Sequence, residues 1–283
     1  MPASGIEPTL DYAFKRLFGS EGSMGLCADF LTALVQPVFD DSIRELELLN
    51  PFSETVFAHQ KANIYDIRAR DSRLRHYHLE SQRYALWTFP KRVIYYWAEI
   101  HSKQHFTGEV AETLQPTTSV LVLRETLWGS VEAGPWHRRF LIRDETGKPF
   151  CEDLAIHVLE LGKFDVPAEL LSTPLERWCY LLKHGARIDN DRLPVTLDVP
   201  PIRAALEVLV MLSASELERE RISERERAAR EEVARQTFEK ETVAHFSRVY
   251  RLEGIKEGIK EGIKEGMQKG EAIGQIALFQ SLL

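Results

Sequence analysis

The sequence predicts an α/β domain in which strands and helices alternate, followed by a helical C-terminal extension. Three observations carry this. Segments of period-2 alternation recur between segments of helical periodicity. The alternating segments are short and end in turn-forming pairs such as Asn50-Pro51 and Thr146-Gly147. Beyond about residue 212 the pattern gives way to a charged, glycine-punctuated stretch.

The elements follow in order. Residues 11–36 read as a helix that Thr9 can cap, with Phe14, Leu17 and Phe18 at helical spacing. A Gly-rich break at 19–25 interrupts it, and Leu26, Phe30, Leu31 and Leu34 resume the pattern until Pro37. Residues 43–49 read as a short strand. Strands at 61–69 and 75–83 flank a turn at Asp71-Ser72-Arg73-Leu74. Alternation places Ile64, Asp66 and Arg68 on one face of the first, and His76, His78, Glu80 and Gln82 on one face of the second. Pro90 opens a helix of about four turns, with Val93, Ile94, Trp97, Ile100 and His101, that ends near Thr107-Gly108. Strands at 119–123, 138–142 and 155–161 follow, then helices at 174–184 and 201–212. This sets a globular domain at 8–212 and a tail at 213–283. From Glu216 to Glu241 the tail is dense in Glu and Arg, which predicts a solvated helix. From Glu253 it repeats EGIK-like units, and each interior glycine costs a solvated helix about 1 kcal/mol relative to alanine. Such a tail is only partly ordered unless another helix packs on its glycine stripe; it also suits an oligomerisation module.

Net charge is −7, so the chain as a whole is no polycation, and any nucleic-acid contact must come from local charge. Cys27, Cys151 and Cys179 are sparse and lack CxxC spacing, which argues against a disulfide scaffold or a zinc site and for reduced thiols in a cytoplasm. Glu7 and Asp11 interrupt the N-terminal region, so no signal peptide is expected. No apolar run approaches the roughly 20 residues of a membrane helix. The expectation is a cytoplasmic protein that does not contact a membrane.

The chemistry centres on the hairpin. Hydrolysing a phosphodiester needs a divalent cation, with carboxylates to hold it. Mg²⁺ takes oxygen ligands, often one or two carboxylates plus water and phosphate. Asp66 and Glu80 can supply these if their strands are neighbours, about 4.8 Å apart. Gln82 points the same way as Glu80 and can hydrogen-bond a water or a phosphate oxygen. Asp, thirteen residues, then Glu-x-Gln is by itself a weak signal that a solvated sheet face also matches.

Resemblance sharpens it. Asp11-Tyr-Ala-Phe-Lys-Arg-Leu-Phe-Gly19 resembles the opening helix of the recombination-promoting nucleases, a transposase-related branch of the PD-(D/E)XK superfamily. Asp66-Ile-Arg-Ala-Arg-Asp71 and His78-Leu-Glu-Ser-Gln82 are similar to its paired strands. Arg92-Val-Ile-Tyr-Tyr-Trp-Ala-Glu-Ile-His-Ser-Lys-Gln104 is similar to its next helix, and Ile156-His-Val-Leu-Glu-Leu-Gly-Lys-Phe164 with Arg177-Trp178 to a later strand and helix. The resemblance spans about residues 8–185. It implies a restriction-endonuclease-like fold, with a mixed β-sheet flanked by helices. It also implies Mg²⁺-dependent DNA endonuclease activity with Asp66, Glu80 and Gln82 as catalytic residues. Asp66, Glu80 and the Ser81 carbonyl would then be the metal ligands. Two departures stand out: Ser72-Arg73 replaces a turn glycine common in the family, and Gln82 stands where the wider superfamily has lysine.

The remaining candidates have two readings each. Asp11 suits either a third metal ligand or a favourable charge at a helix N-terminus. Arg68, Arg83, Lys91 and Arg92, with Arg70, Arg73 and Arg75, form either a DNA-phosphate patch or ordinary surface charge. His76 and His78 lack a third soft ligand. Tyr95, Tyr96 and Trp97 read as helix core, and Lys163 as a strand-end charge. The expected partners are DNA and a second copy of the chain as a homodimer, since cutting both strands calls for two sites. A degenerate member that binds DNA without cutting it is the alternative.

Overall fold

The computed structural model describes residues 4–39, 42–49, 66–83, 89–104, 114–127, 134–212 and Lys269. The expected strand residues 61–65, the helix end at 107–108, the helix at 216–241 and, apart from Lys269, the glycine repeat lie outside these residues. The chain divides into two compact units, Met1–Arg225 and Glu226–Leu283. The strands and helices below belong to the first.

Among the described residues six strands form one mixed sheet: β1 (Leu46–Leu48), β2 (Asp66–Asp71), β3 (His76–Gln82), β4 (Thr117–Leu123), β5 (His137–Leu141) and β6 (Leu154–Glu160). Their order is β1-β2-β3-β4-β6-β5. β1, β2 and β3 are antiparallel neighbours, β3, β4 and β6 run parallel, and β5 returns antiparallel to β6. Five α-helices flank the sheet among the described residues: α1 (Asp11–Phe18), α2 (Met24–Phe39), α3 (Phe89–Ser102), α4 (Pro174–His184) and α5 (Pro200–Val210). This is the restriction-endonuclease-like α/β architecture.

The parallel centre explains its own sequence. Parallel strands are covered on both faces and so lose strict alternation. Every residue of β4, from Thr117 to Leu123, is buried. On one face Ile67, Tyr77, Leu79, Val120, Val122 and Leu159 meet α1, α2, α4 and α5. There Phe14, Phe18, Phe30 and Trp178 form an aromatic cluster, with ring centroids 4.9–5.7 Å apart in each contacting pair. On the other face Leu121, Leu123, Ile156 and Val158 meet Phe89 and Val93 of α3. Glu80 projects from this second face.

Several local expectations change. The break in the first helix is real, with α1 ending at Phe18 and a 3₁₀ turn at Glu21–Ser23 before α2. Pro37 does not stop α2, which runs to Phe39. So near the helix end, proline forfeits one hydrogen bond without breaking the earlier turns. Thr9 does not cap α1: Leu10 holds that position without a side-chain cap, and the Thr9 carbonyl instead accepts from Ser81 Oγ at 2.8 Å. Asp71 belongs to β2 rather than to the turn. Its Oδ1 accepts from the Arg73 and Arg75 amides, and its Oδ2 from Arg75 Nε at 2.6 Å and Tyr77 Oη at 3.0 Å. The turn places Leu74 at φ 62°, the left-handed region that disfavours side chains. On α3, Ile94 and Tyr95 are 53% and 64% exposed, so its packed face is Phe89, Val93 and Ile100, and Tyr95 is not core. Trp97 instead donates from its indole to the Thr117 carbonyl at 2.9 Å.

Candidate active site

The β2–β3 register pairs Asp66 with Glu80, Arg68 with His78 and Arg70 with His76. Residues opposed in an antiparallel pair share a face, with Cα atoms about 4.5–5.5 Å apart. Asp66 and Glu80 are therefore opposed in the ladder, and Glu80 stands on the α3 side of the sheet.

Glu80 is 4% exposed. Its Oε1 accepts from Gln82 Nε2 at 2.7 Å and from an Arg92 guanidinium nitrogen at 2.9 Å. Gln82 reaches it because residues two apart on a strand lie side by side on one face. Arg92 reaches it because α3 lies across that face, with the guanidinium over the Phe89 ring at 5.0 Å. A buried carboxylate requires such compensation, since charge without partners is costly in the interior. With its amide NH₂ on Glu80, Gln82 keeps an oxygen able to accept from a water.

The other expected residues divide. Asp11 opens α1, which packs on the face opposite Glu80, and its Oδ2 accepts from Lys15 Nζ at 3.3 Å. Ser81 turns its side chain away from Glu80, toward Thr9, and so ties β3 to the start of α1. Arg68 lies on the Glu80 face through its pairing with His78, and Lys91 is exposed on α3. Arg83 extends the β3–β4 ladder, its carbonyl accepting from the Glu125 amide at 3.3 Å. The basic patch is thinner than expected. Arg75 is buried on Asp71, Arg70 pairs with Glu47 at 2.7 Å, and Arg92 is engaged by Glu80. His76 and His78 share the face, with His78 buried beside Ser119. Among the described residues no three His, Cys, Asp or Glu groups gather as a metal cluster.

Sequence patterning does not reveal the contacts at the carboxyl ends of the parallel strands. Glu160 ends β6 fully buried, accepting from the Leu127 amide at 2.8 Å and from Lys163 Nζ at 3.0 Å. Lys163 is thus a strand-end charge with a structural partner. Arg124, just beyond β4, forms a two-pronged pair with Glu7 and so straps the N-terminal segment to the sheet. The Leu127–Glu160 and Glu7–Arg124 contacts join residues 33 and 117 positions apart in the chain, and only the Glu160–Lys163 pair, three apart, lies within one local stretch, His-Val-Leu-Glu-Leu-Gly-Lys.

This six-stranded mixed sheet flanked by helices is that of a restriction-endonuclease-like domain. The chain matches the family described as PD-(D/E)XK nuclease family transposase over residues 8–237, and it belongs to that family. Compared with curated proteins and with solved structures, it has no significant match. The family supports a nuclease- or transposase-related role acting on DNA. Among the described residues no helix is long and apolar enough to cross a membrane.

Proposed function

We propose that the protein is a Mg²⁺-dependent DNA endonuclease whose reaction centre lies between Asp66 and Glu80. The observation that supports this is their register across β2 and β3, beside a buried Glu80. The donor set fits the cation. Carboxylates of Asp66 and Glu80 and the Ser81 main-chain carbonyl are hard oxygen ligands of the kind Mg²⁺ prefers. A bound divalent cation supplies charge for the phosphoryl oxygen and acidifies a water. Gln82 orients the attacking water through its amide oxygen, while its NH₂ fixes the Glu80 carboxylate. Arg92 restores the positive charge that residue 82 lacks, held 2.9 Å from Glu80 where charge develops on the phosphate. Arg68, Arg83 and Lys91 hold the DNA backbone. Asp11, paired with Lys15, serves the α1 dipole. A homodimer would present two such sites to the two DNA strands.

The purified protein should nick supercoiled plasmid with Mg²⁺, stop with EDTA, and lose the activity as Asp66→Ala. An Asp66→Ala protein that cuts at the wild-type rate removes these roles. One observation favours a second reading, a domain that binds DNA without cutting: Arg92 already neutralises Glu80. Calorimetric titration with Mg²⁺ separates the two. Heat that disappears in Glu80→Gln supports the enzyme, and no Glu80-dependent heat supports the binding domain.

A further inference from the structure

The hairpin that joins β5 to β6 is built unlike the rest of the sheet. β5 closes one edge of the sheet, and its ladder with β6 ends at Leu141 and Ala155. The chain then continues as a ribbon in which Arg143 bridges Pro149 and the Phe150 amide donates to the Ile142 carbonyl at 3.1 Å. The tip is well fixed. Asp144 accepts at 2.8–2.9 Å from the Thr146 amide and hydroxyl and from the Lys148 amide, and Gly147 takes φ 86° to close the turn. Every residue from Ile142 to Phe150 is exposed.

This rigid ribbon displays aromatic and cationic groups together. Phe150 is 85% exposed, and Phe140 and Ile142 are 40% and 37% exposed. Alternation and the Ile142–Phe150 pairing put all three on the α3 side, the side of Glu80. On the same side stand Arg138 and Lys148, whereas alternation turns Arg139 and Arg143 to the opposite face, Arg143 donating to the Gly147 carbonyl at 2.7 Å. Arg138 lies in the same cross-strand row as Glu80, through Val158 and Leu121. Three strand spacings separate them, about 14 Å.

We infer that this ribbon is a platform for single-stranded DNA, which rests on the reading that DNA is the protein's substrate. Cations alone would suit any polyanion. The exposed rings select unpaired bases, because only these offer a π-face for stacking, and stacking beside a basic track is how single strands are held without sequence preference. Charge argues against a second copy of the chain as the occupant. Antiparallel pairing of two β5 edges would lay one arginine-bearing segment, Arg138 to Arg143, along its equivalent, and like charges brought opposite one another destabilise an edge pair. The substrate would then be a duplex with an unpaired segment, the single strand on the ribbon and the scissile phosphate at Glu80.

Fluorescence anisotropy with the full chain in EDTA tests this, using labelled oligo-dT and a duplex of equal length. Phe150→Ala should weaken oligo-dT binding by about five- to 100-fold, the loss expected for one stacked base, and leave the duplex unchanged. Lys148→Ala should weaken both ligands and flatten the salt dependence by about one ion. The inference fails if oligo-dT does not bind, if Phe150→Ala binds it like wild type, or if the duplex loses as much. It also fails if light scattering shows that Phe150→Ala abolishes self-association while oligo-dT affinity is unchanged, which would make the ribbon a contact between copies. Plasmid nicking is a separate readout. Its absence sinks the nuclease reading alone, because binding in EDTA does not depend on it.

Discussion

Glu80 shows how much of this site is decided around a single carboxylate. Burial makes its charge expensive, and the fold answers with Gln82 and Arg92 on the same oxygen. If Arg92 carries the positive charge of the reaction, Arg92→Ala should slow nicking at least about tenfold, while Arg92→Lys keeps part of the rate. Equal rates for Arg92→Ala and wild type would reduce Arg92 to a surface charge. His157 is a second residue whose charge is set by its surroundings. It is buried against His137, with ring nitrogens 3.0 Å apart, and burial, then the charges of His137 and Arg139, pull its pKa from 6.5 down to about 3. The unfolded chain takes up a proton on this ring near pH 6.5, while the folded chain resists until about pH 3. The stability linked to a neutral His157 is therefore complete above pH 6.5 and is lost as pH falls toward 3. The loss reaches up to about 1.4 kcal/mol per pH unit. Urea midpoints measured between pH 7 and 4.5 should fall less steeply in His157→Gln than in wild type; equal slopes would refute the assignment.

At the scale of elements, the β2–β3 hairpin is what aligns Asp66 with Glu80. A slip of one residue would send one of the two carboxylates to the opposite face. The register is held at the turn by Asp71, which gathers two amides, Arg75 and Tyr77. It is held in spite of Leu74, which sits at φ 62° and is 52% exposed. Little packing is lost on removing that side chain, and a glycine relieves the left-handed conformation. Leu74→Gly should therefore raise stability by about 1 kcal/mol in chemical denaturation and leave nicking unchanged. A lower midpoint would mean that Leu74 makes contacts that matter more than its backbone strain.

At the scale of the whole molecule, the sheet is clamped by two unequal cores. The larger joins α1, α2, α4 and α5 through the cluster of Phe14, Phe18, Phe30 and Trp178. Trp178 is 1% exposed, and its indole donates to Asp29 Oδ1 at 2.7 Å, joining segments 149 residues apart. Trp178→Ala should cost about 3–5 kcal/mol, against a total of about 5–15 kcal/mol for a typical domain. Thermal unfolding should shift down by roughly 10 °C. A shift within about 2 °C would show that the cluster repacks around the hole. The smaller core, under α3, holds the helix that carries Arg92. Mutations there should affect cutting before they affect folding.

The alternation of β2 and β3, the strands expected at 119–123 and 155–161 and found at 117–123 and 154–160, the helices expected at 174–184 and 201–212 and found at 174–184 and 200–210, and the hairpin positions of Asp66, Glu80 and Gln82 were legible in the chain. Each depends on period and turn chemistry, which act between near neighbours. The Glu-x-Gln motif and the flanking blocks were equally local, and they pointed to the family that the chain belongs to. Tertiary structure alone decided the strand order, the Asp66–Glu80 register, the Glu7–Arg124 strap, the burial of Glu160 and the engagement of Arg70, Arg75 and Arg92 by carboxylates. It also decided which aromatic residues of α3 are covered, since Tyr95 matches a helix pattern yet faces solvent. Periodicity tells a side chain which face of its own element it occupies. What lies against that face depends on contacts between distant segments, which no local pattern encodes.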